Sequence, residues 1–526
     1  MSWLELVRRV VDRPLFAVLS RSALPYLFLI PLLLWGTGLA SDDFDEIRRA
    51  GTRWDWGWLL PSAYLATPVL HYTHVLPYKL FPIEMAWVFD LLKAAYILGA
   101  FWAIGRFFRL FFSKETAWFS SFAFLFFPSH DATTYWYLGQ YLTLAFSFYA
   151  LAFVKADEGK LGAAFICAIL GSFSSYGSTP IAVGFSLLFL FQRKPWAGFA
   201  MIIPNLLYIV YFLTVTIWLG KGPKRIPQTF DPVVLIKQFL LQVGTALDAT
   251  VGPSLVAKII VSIGSISLLG IIISMGVTFF FFIQHPSPDG VEKKPRGGAL
   301  ISFGIMVLIA LLMFAITGHY PQLAFNLGNR TTIYGAFLAV FLLAAFIQED
   351  RRKRALVLLL LLFSSFGLTE HWRQWNTAQH ALIREVGDME KRGELAGASQ
   401  LFTVGFRYSN LHGFDHIEGA SERSVTNSLL EIATGKNYSP IPLSGAMMVQ
   451  GGQLFDKKYG ISVPLAEQVR VVDLVDMRVE VCSRDQLAER IARIPKDRRH
   501  WLQLIDKGPL QSLVLYLMPR LKYAFE

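Results

Sequence analysis

Apolar residues in this chain run in long blocks, with neither the period of an amphipathic helix nor that of a half-buried strand. A bilayer crossing needs roughly 20 apolar residues, fewer where neighbouring helices pack a short one. On that pattern eleven transmembrane helices are expected, at about 23–40, 84–112, 116–127, 135–154, 161–174, 179–192, 196–219, 255–283, 299–317, 331–347 and 355–369. The third and fourth form a hairpin around PSHDATTYW, and the fifth and sixth form one around SSYGSTP. The fold class read from this is a polytopic α-helical membrane protein.

Basic residues sharpen the topology. They cluster at Arg8/Arg9/Arg13/Arg21, Arg106/Arg109/Lys114, Lys155/Lys160, Arg193/Lys194, Lys293/Lys294/Arg296 and Arg351 to Arg354. With both hairpins kept, all of these clusters fall on one side, which cytoplasmic loops favour. Residues 1–22 then read as a cytoplasmic amphipathic N-terminus ahead of a signal anchor, and 23–369 as the membrane domain. A first external loop covers 41–83, and a second covers about 220–254. The polar tail, 370–526, mixes a helical start with strand-like pieces and reads as a small extracytoplasmic α+β domain. Its end, LQSLVLYLMPRLKYAF, reads as an interfacial helix.

Composition agrees with that class. Hydrophobic residues make up 54% of the 526 and charged residues 17%, against about 25% charged in soluble domains. The net charge of +11 sits in orientation signals, without the aromatic–basic interleaving of nucleic-acid binders. Cys167 and Cys482 supply no disulfide framework. Neither a P-loop, GxGxxG, HExxH nor GxSxG is present, which disfavours a nucleotide-sugar donor.

The chemistry concentrates in SDDFDEIRRAG, where the first helix leaves the membrane. Asp42 and Asp43 lie at membrane-surface depth, where partial desolvation makes a carboxylate more basic. Such a group can take a proton from a hydroxyl, or hold a divalent metal. Arg48, Arg49 and Arg53 offer forked donors for phosphate. The same residues also make a good helix N-terminus, with Ser41 as cap and acids in the first turn. Asp90 and Lys93, spaced i, i+3 inside the second span, suit an intramembrane ion pair.

A short cytoplasmic N-terminus, one helix, an acidic pair opening a long external loop and a C-terminal extracytoplasmic domain resemble the GT-C glycosyltransferases. The resemblance covers the layout of the whole chain; Asp42-Asp43 is its one sequence motif. It implies a GT-C-like fold and transfer of a sugar from a polyprenyl-phosphate carrier to a glycan, lipid or protein hydroxyl at the external membrane face. Asp42 or Asp43 would be catalytic base or metal ligand, with Asp43 ahead as base and Asp45 and Glu46 as helix-surface residues. It leaves open whether a divalent cation, magnesium or manganese, takes part; Asp43 and Asp131 are its candidate ligands. Donor-phosphate contacts fall to Arg48, Arg53, Lys79 and Arg330, the last at a helix mouth behind Gly328. Sugar or acceptor contacts fall to Trp54, Trp56, His71, His74, His130, Asp131, His319 and Tyr320. Aromatic rings stack on sugars and also anchor loops at interfaces. The setting implied is a bacterial inner membrane, with the lipid bilayer, the carrier and the acceptor as partners and no nucleic acid. The competing readings are a glycan polymerase or ligase, and a transporter or flippase of lipid-linked glycans.

Overall fold

A computed structural model describes residues 23–50, 56–61, 64–219, 231–283, 296–317, 322–348, 350–395, 400–456, 461–495 and 497–500, with 512 and 516. The expected N-terminal amphipathic segment lies outside these residues, as does nearly all of the expected terminal interfacial helix.

The described chain is mostly helical. Helices α1 (Leu24–Leu34) and α2 (Asp42–Ala50) flank the acidic stretch, and α3 covers Ala86–Phe108. Helices α4 (Lys114–Leu125), α5 (Tyr141–Asp157), α6 (Leu161–Ser174) and α7 (Ser178–Phe191) follow; α4 packs on α3, and α5 packs on α3 and α6. Then come α8 (Pro195–Leu213), α9 (Pro232–Val251), α10 (Pro253–Gly264), α11 (Leu268–Ile283), α12 (Gly297–Thr317), α13 (Ile333–Ile347) and α14 (Arg351–Lys391). Six helices among the described residues are long and apolar enough to cross a membrane, including Ile83–Phe108, Pro195–Trp218 and Pro232–Gly264. Four further apolar helices are shorter.

Packing separates the bundle into two ends. At the basic end Arg106, Lys155 and Lys160 all meet Glu158, at 3.2, 3.1 and 2.9 Å, and Lys194 meets Asp157 at 3.1 Å. The Arg296 guanidinium lies 4.7 Å over the Phe112 ring, and Arg354 reaches Thr116 at 3.4 Å. Basic residues from five separate sequence clusters thus share one end, so both expected hairpins close. Between the ends lies an aromatic core in which Phe107 packs on Phe185 at 4.9 Å and Phe303 on Phe337 at 5.0 Å.

The segment expected as a second external loop is largely helix, α9 continuing into α10 with a break at Gly252 and Pro253. Length and composition would let it cross a membrane. Its contacts place residues 242–264 at the end opposite the basic one. Gln242 and Thr245 bond Gln322, just beyond the far end of α12; Asp248 meets His500 and Lys258 meets Asp131. At Gly367 of α14 a Cβ would fall 1.7 Å from the Ser262 carbonyl oxygen, so only glycine allows α10 and α14 to approach this closely.

Helix α14 is unbroken over 41 residues, about 60 Å at 1.5 Å per residue. The expected domain boundary at 369/370 therefore falls inside one helix that carries the chain out of the bundle. Beyond it lies the small C-terminal sheet region. Strands β1 (Leu401–Val404), β4 (Ile441–Pro442), β8 (Gln468–Asp473) and β9 (Arg478–Ser483) form one sheet in the order β4-β1-β8-β9, antiparallel only at β8-β9. Strands β2 (Tyr408–Leu411) and β3 (Phe414–Glu418) make a hairpin; β5 (Met447–Gln450), β6 (Gln453–Asp456) and β7 (Ile461–Pro464) make a meander. Helix α15 (Arg423–Thr434) packs on α2 and α14, and α16 (Arg484–Arg493) follows β9 with a Ser483/Gln486 capping box.

Candidate functional site

The turn between α1 and α2 is held from several sides. Gly36 and Gly38 donate their backbone N–H groups to Asp90, at 2.8 and 3.0 Å. Lys93 pairs with Asp90 at 2.9 Å and donates to Thr37 Oγ1 and the Gly38 carbonyl, both at 2.6 Å. The expected Asp90–Lys93 ion pair is therefore present, and it clamps the turn. From α14, Arg373 caps the Trp35 and Leu32 carbonyls at 2.7 Å, Asn376 donates to Gly36 O at 3.2 Å, and Gln379 donates to Leu39 O at 2.9 Å. Ser41 then takes φ +51°, a left-handed conformation costly for a residue with a Cβ. Strain at a pinned turn fixes the direction in which Asp42 leaves it.

Gly38 has φ +62°, and a Cβ there would overlap the Asn376 side chain at 1.9 Å. Gly38→Ala is expected to destabilise the protein by about 2 kcal/mol or more from the backbone and overlap costs together. Thermal melting would read this, and a melting curve equal to wild type would show that the turn is not pinned.

The adjacent acids have different surroundings. Asp43 is fully buried; its carboxylate accepts from Ala40 N at 2.8 Å, Tyr78 Oη at 2.6 Å and Leu138 N at 3.2 Å. Burial pushes its pKa up to about 7 against the pull of those donors and of Lys93. Asp42 is half-buried. Burial raises its pKa, the Arg330 charge is the largest attraction opposing that, and Glu422 adds to the rise. Asp42, behind in the sequence reading, is thus the acid with an accessible face, while Asp43 is enclosed. Asp45 and Glu46, expected on the helix surface, are buried and paired. Asp45 meets Arg48 at 2.9 Å, Arg49 at 2.6 Å and Ser428 of α15 at 3.0 Å. Glu46 meets Tyr64 at 2.5 Å and Arg49 at 3.3 Å.

The Asp43 titration has a definite sign. A folded pKa raised above the unfolded value near 3.9 means that the folded state holds the proton longer. Its contribution to stability is full below about pH 4 and falls as pH rises to about 7. The total is on the order of 4 kcal/mol at most. Melting temperatures compared between pH 5 and pH 8 are expected to fall more in wild type than in Asp43→Asn; parallel profiles would reject this.

Several residues expected to hold phosphate have other roles. Arg48 docks the C-terminal region, reaching Ser428 at 3.0 Å and Glu431 at 3.6 Å. Lys79 donates to the Ala50 carbonyl at 2.6 Å and closes the C-terminal end of α2. Arg330 remains at the site: its guanidinium lies 5.0 Å over the Trp136 ring and donates to Leu327 O at 3.3 Å. It also borders a small pocket with Tyr141, Tyr176 and Tyr334.

The expected sugar and acceptor histidines are in the core. His71 and His74 sit on a π-helical turn, His71–Val75, both buried. His74 lies between Tyr96 and Tyr137, and burial lowers its pKa to about 3, so it is neutral. His130 is buried against Phe124 and Phe127 and bonds Thr133 at 2.6 Å. None of the three faces an open surface. Arg53, Trp54, His319 and Tyr320 lie outside the described residues, as does the side chain of Trp56.

Asp131 proves to be the centre of a buried polar knot. One carboxylate oxygen accepts from Lys258 Nζ at 2.6 Å and from Asn329 Nδ2; the other accepts from His416 Nε2 at 2.9 Å and Trp372 Nε1 at 3.0 Å. The Asn326 N–H donates to His416 Nδ1 at 3.2 Å, which assigns the ring proton to Nε2. Burial alone would raise the Asp131 pKa; Lys258 and His416 overcome this and hold it well below the usual carboxylate range. The carboxylates of Asp43 and Asp131 are thus filled by hydrogen-bond donors and do not suit a divalent ion. Among the described residues no three His, Cys, Asp or Glu side chains gather as a metal site. Asn329, part of a glycosylation sequon, is also spent in the knot. Lys258 had one sequence signal, a lone cation in the apolar run LVAKIIVSIG; His416 and Trp372 had none.

No family model, curated protein or solved structure matches the chain.

Proposed function

We propose that the chain is an integral-membrane glycosyltransferase of GT-C kind. It would move a sugar from a polyprenyl-phosphate carrier to a hydroxyl acceptor. The observation that carries this reading is the pair formed by Asp42, accessible on a strained and pinned turn, and Arg330, the main attractive charge acting on it. A carboxylate made basic by burial suits proton abstraction from a hydroxyl, and a guanidinium held on an indole suits a departing phosphate.

In this reading the acceptor hydroxyl gives its proton to Asp42 as its oxygen bonds the anomeric carbon. The bond from that carbon to the phosphate oxygen breaks, and the electron pair leaves with the phosphate facing Arg330. The basic end faces the cytoplasm, as the positive-inside preference favours. The N-terminus is then cytoplasmic, and Asp42 and the C-terminal region are periplasmic in a bacterial inner membrane. Eleven crossings follow from α1, α3 to α8, α11 to α13 and the first half of α14, with α9 and α10 remaining at the external end.

The test is a panel of synthetic polyprenyl-phosphate sugars offered to the purified protein, with release of free polyprenyl phosphate read by mass spectrometry. Release is expected with at least one donor and is expected to be lost in Arg330→Ala. No release from any donor, with flux of lipid-linked glycan across proteoliposomes instead, would replace this reading by a flippase. The filled hydrogen-bond shell of the Asp131–Lys258 pair argues against an ion pathway there.

A further inference from the structure

The four-stranded sheet of the C-terminal region has two unlike edges. Strand β4 closes one edge with only Ile441 and Pro442, and the proline has no N–H to offer a further strand. Strand β9 forms the other edge. It pairs with β8 in continuous register from Arg478 to Ser483, without proline or bulge. That is about 20 Å of ladder at 3.4 Å per residue. Among the described residues, β8 is the one hydrogen-bonded neighbour of the backbone from Arg478 to Cys482. Edge strands are normally blunted by shortness, proline, a bulge or charge, because an unpaired ladder accepts another strand. Strand β4 is blunted in two of these ways. The two charges of β9 are neutralised within the chain, Arg478 by Asp476 at 3.0 Å and Glu480 by Arg490.

The open edge also borders a groove of about 600 Å³. Glu480 and Val481 of β9 line one side, and Gln486, Glu489 and Arg493 of α16 line the other. Helix α16 is anchored on the sheet by Leu487 and Ile491, which are buried with Cys482. A strand edge facing a helix suits an extended peptide, whose main chain completes the ladder while alternate side chains turn toward the helix. The bond from Glu480 to Arg490 puts Glu480, and with it Arg478, on the α16 face. Val479 and Val481 then lie on the opposite face. Val481 is 58% exposed, an apolar position that an added strand would cover.

The direction of the strands argues against a second copy as the occupant. At the outer end, Arg470 of β8 reaches the Glu394 carbonyl, just past α14, at 3.4 Å. At the inner end, Phe406, just after β1, stacks on Trp375 of α14 at 4.3 Å. Strands β1 and β8 are parallel, so both run back along α14 toward the bundle, and β9 runs outward. Two-fold pairing of β9 with itself is antiparallel. It would set the second bundle beyond the C-terminal region, outside the membrane that holds the first. The occupant that fits is a segment of a different polypeptide.

We infer that β9 and α16 bind an extended segment of another polypeptide as an added edge strand. Its apolar side chains lie beside Val479 and Val481, and its polar ones face α16. The inference does not depend on the transferase reading. The experiment uses the full-length protein in nanodiscs and the labelled probe peptide acetyl-TTVRVET-amide. In antiparallel pairing this probe sets its Arg across from Glu480, its first Glu across from Arg478 and its valines across from Val481 and Val479. Binding is read by fluorescence anisotropy, and its location by hydrogen exchange with mass spectrometry. The probe is expected to bind and to slow exchange between Arg478 and Ser483. Two N-methylated probes, one altered at both valines and one at Arg and Glu, separate strand pairing from general adhesion. Backbone N–H groups of a strand alternate in direction, so one of these probes is expected to lose binding and the other to keep it. Val481→Lys is expected to weaken binding several-fold while moving the melting temperature by no more than about 2 °C. Val475→Lys, equally exposed but in the β8–β9 turn, is expected to bind as wild type. No binding, the same result from both methylated probes, or undiminished binding by Val481→Lys would each overturn the inference. Protection of every amide from Val479 to Cys482 before any probe is added would also overturn it, because the protein itself would then cover the edge.

Discussion

Asp131→Asn is expected to be the most destabilising single change in the buried polar interior, by about 3–5 kcal/mol. The carboxylate satisfies four donors brought from four distant parts of the chain: Lys258, Asn329, Trp372 and His416. An asparagine there offers one oxygen and turns an NH₂ group toward donors. It also leaves the Lys258 ammonium, fully buried, without its counter-charge. Leaving one member of a buried ion pair alone costs more than removing both. Asp131→Asn/Lys258→Met is therefore expected to recover part of the loss, a coupling that a double-mutant cycle would measure. In melting temperature the single variant is expected to fall by roughly 5 °C or more.

The pH dependence of that penalty is fixed in sign. The folded pKa of Asp131 lies below its unfolded value. Its stabilisation is present above about pH 4 and is lost only as pH falls through the depressed folded value. The Asp131→Asn penalty is thus expected to be constant from pH 5 to pH 8. A penalty that disappears at pH 6 would mean that the carboxylate is not held ionised by Lys258.

The sequence displayed the bundle better than the site because the two depend on different ranges of chain. The α6–α7 hairpin was legible because two apolar runs flank a stretch of Ser, Tyr and Gly, and the charges beyond each run mark its ends. The Asp90–Lys93 pair was legible because both residues lie on one helix at i, i+3. Helix α9 was read as loop because Lys237, Gln238, Gln242 and Asp248 interrupt its apolar run. Gln242 and Asp248 instead face partners at the end of the bundle, Gln322 and His500. Arg48 looked like a phosphate ligand because a cation beside acids suits either role. The choice was made by Ser428 and Glu431, about 380 residues away. The order of Asp42 and Asp43 was likewise set by Tyr78 and Leu138, which enclose one acid and leave the other open. Residue type and spacing locate an acidic pair; tertiary donors decide which member stays accessible.

If Asp42 is the base, Asp42→Asn is expected to lower transfer by about 10²–10⁴-fold, the usual worth of a positioned general base, with little change in melting temperature. Asn keeps the shape of the side chain but cannot take the proton. Asp43→Asn is expected to act the other way, altering the pH profile of stability while leaving activity within a few-fold of wild type at pH 8. Arg330 supplies a readout that a merely structural role would not move. Its guanidinium is the largest attraction holding the Asp42 pKa down against burial and Glu422. Arg330→Gln is expected to cost about 10²–10³-fold through the lost phosphate contact and also to shift the acidic limb of the rate–pH profile upward, because Asp42 then ionises later. Arg330→Lys keeps a charge but loses the fork and the stack on Trp136, so it is expected to retain most of the pH profile with a reduced rate. Equal rates for Asp42→Asn and wild type, or an Arg330→Gln rate loss with an unmoved acidic limb, would separate the two residues and end the case for a coupled base and phosphate site.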